Sequence, residues 1–450
     1  MNPLRAIIGF FKEPPAAPPI EDRAELDRTY AHWRTRMLYG SMIGYGLFYF
    51  TRKNISVALP LLSDELGYSN AELGILGSLL YISYAVFKGL YGFVADRVNP
   101  PRMMAVGLCI SALMNLCFSL STSLVFLGVF WFLNGAFQAM GAPPCAKICV
   151  RWFSVSERGT KWGLWNISHQ AGGGIILVLA GWFAAWFGWR GAFVGPAVIC
   201  LVGVLFILNR LRDRPEQLGL PPIEEYRDDP EAAEPAVEEG QAEPSFFQLV
   251  VRRVLLNPHL LLLATASMCV YVVRYGSLDW ATKYLVEVKG QNVAWAGTMT
   301  SLLEFVGIPG MLLAGWLSDR LFKARRAPIC VICLLGLAGA VGALYAVPAG
   351  YPALDALALA AIGFFTYGPQ MLLAGVAAAD TCGAKVAAAA VGVTGVFSYA
   401  GAIIASAGTG ALVDRWGWGG GFTLWASAAV LGALLVAPLW NARGRRQANG

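Results

Sequence analysis

The segment Gly92-Phe-Val-Ala-Asp96-Arg97 recurs in the second half of the chain as Gly315-Trp-Leu-Ser-Asp319-Arg320. A second segment, Gly188-Trp-Arg-Gly-Ala-Phe193, recurs as Gly417-Trp-Gly-Gly-Gly-Phe422. Two separate segments thus repeat at nearly the same offset, which indicates an internal duplication of the kind that builds many membrane proteins. The sequence therefore predicts two structurally equivalent halves.

Each predicted half contains six long apolar runs. Of the 450 residues 57% are hydrophobic and 14% are charged, whereas an ordinary globular chain has about 25% charged residues. A helix needs about 20 mostly apolar residues to cross a bilayer core. The sequence therefore predicts an all-α membrane protein whose twelve transmembrane helices form two pseudo-symmetric six-helix bundles. The runs lie near residues 38–58, 73–94, 103–120, 123–148, 160–186, 190–208, 258–287, 294–317, 328–346, 353–377, 386–412 and 419–440.

A charged stretch separates the two bundles. Arg210–Pro244 holds 11 acidic and 4 basic residues, so the rest of the chain carries 30 basic residues against 17 acidic ones. Such a stretch cannot bury a core and is typical of a solvated connector. The predicted organisation is an N-terminal segment (1–37), a first bundle (38–208), an acidic linker (209–257), a second bundle (258–440) and a tail (441–450).

Loop charge predicts the orientation, because Lys and Arg accumulate in short cytoplasmic loops. Basic residues cluster in loops on one side of the predicted membrane, and the opposite loops are poor in them. We therefore expect both termini and the linker to be cytoplasmic, and we assign the repeated loop residues to gating of the conformational change. Those four residues are Asp96, Arg97, Asp319 and Arg320.

Composition and motifs also exclude several function classes. The basic residues lie between or inside apolar runs instead of on one soluble face, so we expect no nucleic-acid partner. The nine cysteines lie almost entirely in apolar segments, and the single CxxC, Cys330–Cys333, has no second pair to complete a zinc site. No G-x-x-x-x-G-K-[ST] loop supports ATP-driven pumping. The expectation is a secondary transporter, or a protein derived from one, with no enzymatic activity, metal or cofactor.

Two arginines inside predicted helices indicate the ligand. Arg274 follows Arg52 at nearly the offset of the two repeats, so each half contributes one arginine at an equivalent position. A charged group at the centre of a spanning helix costs about 2.5–3.5 kcal/mol on insertion scales, so it should face a cavity or a partner. Two guanidinium forks suit one phosphate group, which they can meet bidentately. The alternative is that each arginine reaches the headgroups or pairs with an acid, with Asp279 as the candidate for Arg274.

Further polar residues lie in the same helices. Lys53 and Lys88 would raise the positive potential of the cavity, although Lys53 could instead reach the headgroups from the helix end. His169 lies well inside an apolar run and can donate to phosphate, or it could be a hydrogen-bonded packing residue. Glu304 has no obvious partner in the sequence, and we expect it to pair with a cation across the interface between the halves in preference to coupling protons.

At these residues the sequence resembles the organophosphate:phosphate antiporter family of the major facilitator superfamily. The resemblance implies the twelve-helix major facilitator fold and the exchange of inorganic phosphate for a sugar phosphate or glycerol 3-phosphate. It runs over nearly the whole chain and is carried by Phe50-Thr-Arg52-Lys53-Asn54, Gly135 to Cys145, Glu157-Arg158-Gly159, Trp165-Asn166 to His169, Gly219 to Tyr226, Arg274 to Trp280, Gly307-Ile-Pro-Gly310 and Gly368-Pro-Gln370.

The resemblance also implies roles for individual residues. It assigns phosphate binding to Arg52 and Arg274, with Lys53, Lys88 and His169 beside them. To this set we add Asp279 as a further residue of the substrate site. The implied cavity aromatics and polar lining are Tyr45, Tyr49, Tyr84, Tyr271, Tyr367, Tyr399, Gln138, Trp165 and Asn166.

The leading hypothesis is a monomeric inner-membrane antiporter that exchanges a hexose 6-phosphate for inorganic phosphate by a rocker-switch mechanism. Ala142 stands where glycerol 3-phosphate carriers have a tryptophan, which slightly favours a larger sugar. Three alternatives stay open. They are a glycerol-3-phosphate:phosphate antiporter, a membrane sensor of hexose phosphate that signals to a partner kinase, and a proton-coupled symporter.

Overall fold

The computed structural model describes residues 9–228, 250–323, 325–382 and 386–441. The middle of the predicted linker (229–249) and nearly all of the predicted tail (442–450) lie outside the described residues. Those that are described form helices, turns and short connections, with no β-strand among them. The prediction of an all-α protein is confirmed.

The helices follow the apolar runs of the sequence, with four of the runs broken into shorter pieces. Short π-helical turns at Val251–Leu255, Leu372–Val376 and Ile404–Gly408 connect some of them. The helices are α1 Arg23–Phe50, α2 Asn54–Leu66, α3 Asn70–Ala95, α4 Pro100–Ser119, α5 Leu124–Gln138, α6 Ala142–Trp152, α7 Val155–Arg210, α8 Ile223–Arg227, α9 Pro258–Glu287, α10 Val293–Arg320, α11 Arg326–Ala346, α12 Pro352–Met371, α13 Ala377–Cys382, α14 Ala387–Ile403, α15 Thr409–Trp416 and α16 Trp418–Val436.

Ten helices among the described residues are long and apolar enough to cross a membrane. One of them, Val155–Arg210, contains two of the predicted runs, because its backbone leaves helical geometry at Gly188. A further predicted run, the first, is divided between α1 and α2 by a break at residues 51–53. With both features counted, the described helices agree with the prediction of twelve transmembrane helices.

The duplication extends to the backbone at the second repeated segment. Gly188 has φ 67° and ψ −172°, and its repeat equivalent Gly417 has φ 68° and ψ −174°. A residue with a Cβ adopts a positive φ only with strain, whereas glycine does so freely. The glycine at this position of each half is therefore explained by the sharp turn between consecutive spanning helices.

Replacing Gly417 by alanine is expected to lower the unfolding free energy of the purified protein by about 1–3 kcal/mol through backbone strain alone, because its φ and ψ lie in a region that is essentially restricted to glycine. No atom lies within 4 Å of the Cβ that the substitution would add, so a steric clash does not contribute. Gly339 in α11 offers the matched control, because its added Cβ also meets nothing within 4 Å and its φ is not in the positive range. Gly339→Ala should leave the unfolding midpoint unchanged or raise it. Equal midpoints for the two variants would contradict the strain argument.

The described chain divides into two compact units whose limits differ from the predicted bundles. The first unit contains residues up to Asn54, Ser83–Ile176, and the chain from Phe193 into the linker. The second contains Ile55–Ile82, Leu177–Ala192 and the chain from Val250 onward. Two segments of the predicted first bundle therefore pack with the second half of the chain.

Close backbone approach explains how Ile55–Ile82 joins the second unit. The Asp414 carboxylate caps the start of α3, accepting hydrogen bonds from the backbone N–H groups of Asn70 (3.1 Å) and Ala71 (2.7 Å). One turn further along, the Ser406 hydroxyl donates to the Gly74 carbonyl at 3.0 Å. A Cβ added at Gly410 would clash with the Asn70 carbonyl oxygen. Small residues thus allow these helices to meet backbone to backbone, as is common in membrane proteins.

The N-terminal segment and the start of the linker pack on the helix ends of the first unit. Glu13 forms ion pairs with Lys147 (3.0 Å), Arg151 (2.9 Å) and Arg214 (3.8 Å). Burial opposes ionisation of Glu13, but the hydrogen bonds from Lys147 and Arg151 outweigh it and lower the pKa of its carboxyl below the usual value. Tyr30 of α1 also stacks on Tyr226 of the linker helix α8, with ring centres 4.0 Å apart, so the start of the linker contacts the first helix.

The expectation that the linker is solvated is therefore wrong for residues 211–228. Leu211, Leu220 and Ile223 are at most 2% exposed, and the Asp213 carboxylate is buried against Arg151. The average composition of the linker concealed these apolar residues, which lie between its charges and can pack against helix ends.

The first helix also starts at Arg23, well before the apolar run, with the Asp22 side chain capping it.

Candidate functional site

In the first unit Arg52 lies in the break between α1 and α2. Its side chain is buried, with 3% of the residue exposed. The guanidinium carbon lies 4.2 Å from the centre of the Tyr84 ring and 5.4 Å from that of Tyr49. Aromatic faces attract a cation in this geometry, and the attraction is stronger where water is excluded. Arg52 thus lies against two of the tyrosines predicted to line the cavity, and their role in binding stays a prediction.

Aromatic side chains from α1 and α7 lie beside Arg52. The Tyr45 ring centre is 4.6 Å from that of Trp165, and the Tyr49 ring centre is 5.9 Å from that of His169. Tyr45 and Tyr49 are four residues apart on α1, and Trp165 and His169 are four residues apart on α7. Each helix therefore presents two rings on one face. The structure therefore brings together four of the predicted site residues.

The other predicted residues of the first unit have varied surroundings. Lys53 is fully buried, whereas Lys88 is exposed and its Nζ lies 5.8 Å from the Tyr84 ring centre. The Asn166 amide donates to the Trp162 carbonyl at 3.0 Å, one turn earlier in the same helix. Gln138, predicted to line the cavity, is 1% exposed and donates to the Thr51 hydroxyl at 2.9 Å. Gln138 thus contacts the break in the first spanning helix from the protein interior.

Two further amides at this break were missed by the sequence reasoning. Asn134 Nδ2 donates to the Thr51 carbonyl at 2.7 Å, and Asn115 Nδ2 donates to the same carbonyl at 3.2 Å. Asn54 Nδ2 in turn donates to Asn115 Oδ1 at 2.9 Å. The available signal was an asparagine in the middle of an apolar run, since both Asn115 and Asn134 interrupt predicted spanning segments.

In the second unit Arg274 lies in the continuous helix α9. It is 4% exposed, and its Nη2 lies 3.8 Å from Glu304 Oε1. Its Nε donates to the Tyr367 hydroxyl at 3.3 Å, and that hydroxyl donates to the other Glu304 oxygen. The guanidinium carbon also lies 4.8 Å from the Tyr367 ring centre and 5.0 Å from that of Tyr275. The expectation that Glu304 pairs with a cation is confirmed, but the cation is Arg274 of the same unit and not one across the interface between the halves.

The alternative that Arg274 pairs with an acid is therefore present in the structure, but the acid is Glu304, and the candidate pairing with Asp279 is wrong. Five residues turn an α-helix by about 140° beyond a full turn, so the two side chains leave α9 in different directions. Asp279 instead accepts a hydrogen bond from the Tyr81 hydroxyl at 2.5 Å. A role for Asp279 in the substrate site stays a prediction.

Tyr271 lies near Arg274 with Tyr399 beside it, and the predicted gating residues lie at or just after the C-terminal ends of α3 and α10. The Tyr271 and Tyr399 ring centres are 6.1 Å apart, and both residues are half-buried. Asp96, Arg97, Asp319 and Arg320 are exposed. Arg97 donates to the Phe93 carbonyl at 2.9 Å, and Asp319 pairs with Arg326. The gating role of these four residues stays a prediction.

Each unit thus contains a buried arginine surrounded by tyrosine rings. In the described part of the chain, no group of three or more His, Cys, Asp or Glu residues could hold a metal ion. Guanidinium groups bind anionic oxygens directly, without a metal. A duplicated fold of spanning helices with such sites defines the class of protein as a polytopic membrane protein of the secondary-transporter type.

Comparison with known proteins identifies the family. Residues 41–406 match the model of the Major Facilitator Superfamily. The chain is 42% identical over 441 residues to the "Probable hexose phosphate transport protein" of Chlamydia pneumoniae, covering 96% of this chain and 97% of that protein. It is 39% identical over 448 residues to the "Glycerol-3-phosphate transporter" of Bacillus subtilis, covering 98% and 100% respectively. The chain belongs to the Major Facilitator Superfamily and, within it, to the organophosphate:phosphate antiporter family.

Solved structures agree with the fold. A bacterial homolog of the human lysosomal transporter Spinster, in an inward-facing and occupied conformation, superposes with a TM-score of 0.72 at 18% identity. The match covers 91% of this chain and 97% of that chain. The expected major facilitator fold is thereby confirmed. The family match and the named transporters confirm the expectation of a transporter-type protein.

Proposed function

We propose that the protein is a secondary active antiporter that exchanges a sugar phosphate, hexose 6-phosphate in particular, for inorganic phosphate. It acts as a monomer in the inner membrane with both termini cytoplasmic, and a rocker-switch motion alternates access to its site. The printed names of the Chlamydia pneumoniae and Bacillus subtilis relatives support an organophosphate substrate. The excess of Lys and Arg in the loops on one side of the predicted membrane supports a cytoplasmic location for that side.

One observation carries this proposal: each half of the duplicated chain has a buried arginine at the equivalent sequence position. Arg52 and Arg274 are 3% and 4% exposed and are stacked on tyrosine rings. In the proposed mechanism the phosphate group, which in a sugar phosphate has a second pKa near 6, bridges both guanidinium groups as a dianion. Access to the site alternates only when an anion is bound. Exchange is then obligatory, and the exit of phosphate down its gradient drives uptake of the sugar phosphate.

Counterflow into proteoliposomes tests the proposal. Vesicles loaded with phosphate should take up labelled phosphate in exchange, and external glucose 6-phosphate should compete more strongly than glycerol 3-phosphate or phosphoglycerate. Vesicles without internal phosphate should take up little. Preference for glycerol 3-phosphate would keep the antiport mechanism but change the substrate. Uptake that depends on a proton gradient and not on internal phosphate would overturn the antiport mechanism.

A second candidate function is a membrane sensor of hexose phosphate that signals to a partner kinase. It is favoured by the relative named "Membrane sensor protein UhpC" of Escherichia coli, which is 38% identical over 442 residues, covering 98% of this chain. A sensor would bind hexose 6-phosphate without moving it. The supporting result is thermal stabilisation of the purified protein by glucose 6-phosphate together with no counterflow of any of the tested substrates.

A further inference from the structure

The break in the first spanning helix poses a structural problem for Arg52. α1 ends at Phe50 and α2 begins at Asn54, so residues 51–53 lie outside both helices. A helix end leaves backbone carbonyls without intrahelical donors, and in a membrane each buried carbonyl must still be satisfied. The chain also passes from the first compact unit to the second between Asn54 and Ile55, directly after the break. The Arg52 and Lys53 N–H groups donate back to the Tyr49 carbonyl, but the Thr51 carbonyl takes its donors from side chains.

Side-chain amides from neighbouring helices hold this turn. Asn134 of α5 and Asn115 of α4 both donate to the Thr51 carbonyl, and Gln138 of α5 donates to the Thr51 hydroxyl. Asn115 and Asn134 are themselves fully buried. Buried amides with their partners satisfied fix one geometry, because a shift of the turn would leave several polar groups unpaired.

The second half of the chain positions its arginine differently. Arg274 lies in the unbroken helix α9 and is oriented by Glu304 and Tyr367. Arg52 lies on the turn that follows α1, where its own N–H and that of Lys53 donate to the Tyr49 carbonyl at 3.2 and 3.0 Å. Neutral amides hold the Thr51 backbone, one residue before it. The backbone that carries each of the two equivalent arginines is therefore held in a different way.

We infer that Asn115 and Asn134 are positioning residues of the anion site: they fix the broken turn through the Thr51 carbonyl and thereby orient the Arg52 guanidinium. This inference rests on the proposed function, in which Arg52 binds phosphate. Neither asparagine touches the anion. Their contribution is preorganisation, which lowers the cost of ordering a binding group when the ligand arrives.

Phosphate self-exchange by an Asn134→Leu variant tests the inference, since leucine has a similar volume but cannot donate. We expect the half-saturation concentration for phosphate to rise about 10-fold, the effect of losing about 1.4 kcal/mol of binding, with a smaller change in the maximal rate. Thr51→Val is a milder variant that removes only the hydroxyl bonded to Gln138, and its expected rise is about 2-fold to 3-fold. The matched control is Ser398→Ala in the second unit, which loses a buried hydrogen bond to Ser267 (2.8 Å) and should leave half-saturation unchanged.

A double-mutant cycle separates positioning from general stability. If Asn134 acts through Arg52, the variant Asn134→Leu should add little to the half-saturation defect of Arg52→Lys. Additive defects, or an unchanged half-saturation for Asn134→Leu, would overturn the inference. Thermal stabilisation of the purified variants by phosphate provides the same comparison where transport is too slow to measure. Absence of phosphate exchange and of phosphate stabilisation in the unmodified protein would instead overturn the proposed function.

Discussion

Replacing Arg52 by lysine is expected to reduce phosphate self-exchange in proteoliposomes by about 100-fold, which corresponds to about 2.7 kcal/mol. Lysine keeps the positive charge but presents it as a point, whereas the guanidinium offers a planar fork that meets two phosphate oxygens together. The flat guanidinium also stacks on Tyr84, with its carbon 4.2 Å from the ring centre. Arg274→Lys should cause a loss of similar size, because the anion is proposed to bridge both arginines.

The control for these substitutions is Arg190→Lys. Arg190 is exposed and also stacks on an aromatic ring, with its guanidinium carbon 4.5 Å from the centre of Trp189, but it lies outside the proposed site. Phosphate self-exchange by the Arg190→Lys variant should be as fast as that of the unmodified protein. Full-rate exchange by Arg52→Lys would show that charge alone suffices and would remove the argument for bidentate binding.

Replacing Glu304 by glutamine is expected to lower the unfolding free energy of the purified protein by about 3 kcal/mol, because it leaves Arg274 buried without its counter-charge. Phosphate should then stabilise the variant more than it stabilises the unmodified protein, since the anion takes the place of the lost carboxylate beside Arg274. The measurement is thermal unfolding in detergent with and without phosphate. The same variant tests the proton-coupled alternative, which predicts that phosphate self-exchange survives while uptake driven by a proton gradient is lost.

Asp27→Asn is the control with a solvent-exposed ion pair. Asp27 pairs with Arg23 at 3.3 Å, and the two side chains are 47% and 71% exposed. Water screens a partly exposed pair, so the expected loss is below about 1 kcal/mol and phosphate should have no additional effect. A Glu304→Gln variant as stable as the unmodified protein, with an ordinary response to phosphate, would contradict the assigned role of Glu304.

The class of fold could be predicted from the sequence because apolar length and repetition are properties of the chain itself. Every predicted apolar run lies in or across helices of the described chain. The repeat offset also predicted that Arg274 is the equivalent of Arg52 in the second half. Boundaries were less accurate where tertiary contacts extend a helix into a polar segment, as in the start of α1 at Arg23.

Partnerships across the structure could not be predicted in the same way. The sequence suggested Asp279 for Arg274 because it is close along the chain, but helix geometry directs the two apart, and Glu304 of the next spanning helix is the partner. The amides around Thr51 come from α4 and α5, and hydropathy alone does not show which helix faces which. Gln138 was correctly selected as a polar residue near the site, yet its bond to the Thr51 hydroxyl required the packed structure.

The matching turns at Gly188 and Gly417 have a consequence for engineering. Both glycines have nearly the same φ and ψ, so the helices that enter and leave each turn do so with the same local geometry. Chimaeras that exchange helical hairpins between the two halves could therefore be joined at these positions without rebuilding the connection. Such hybrids would show which functional differences between the halves belong to side chains, because the backbone at the junction would be common to both.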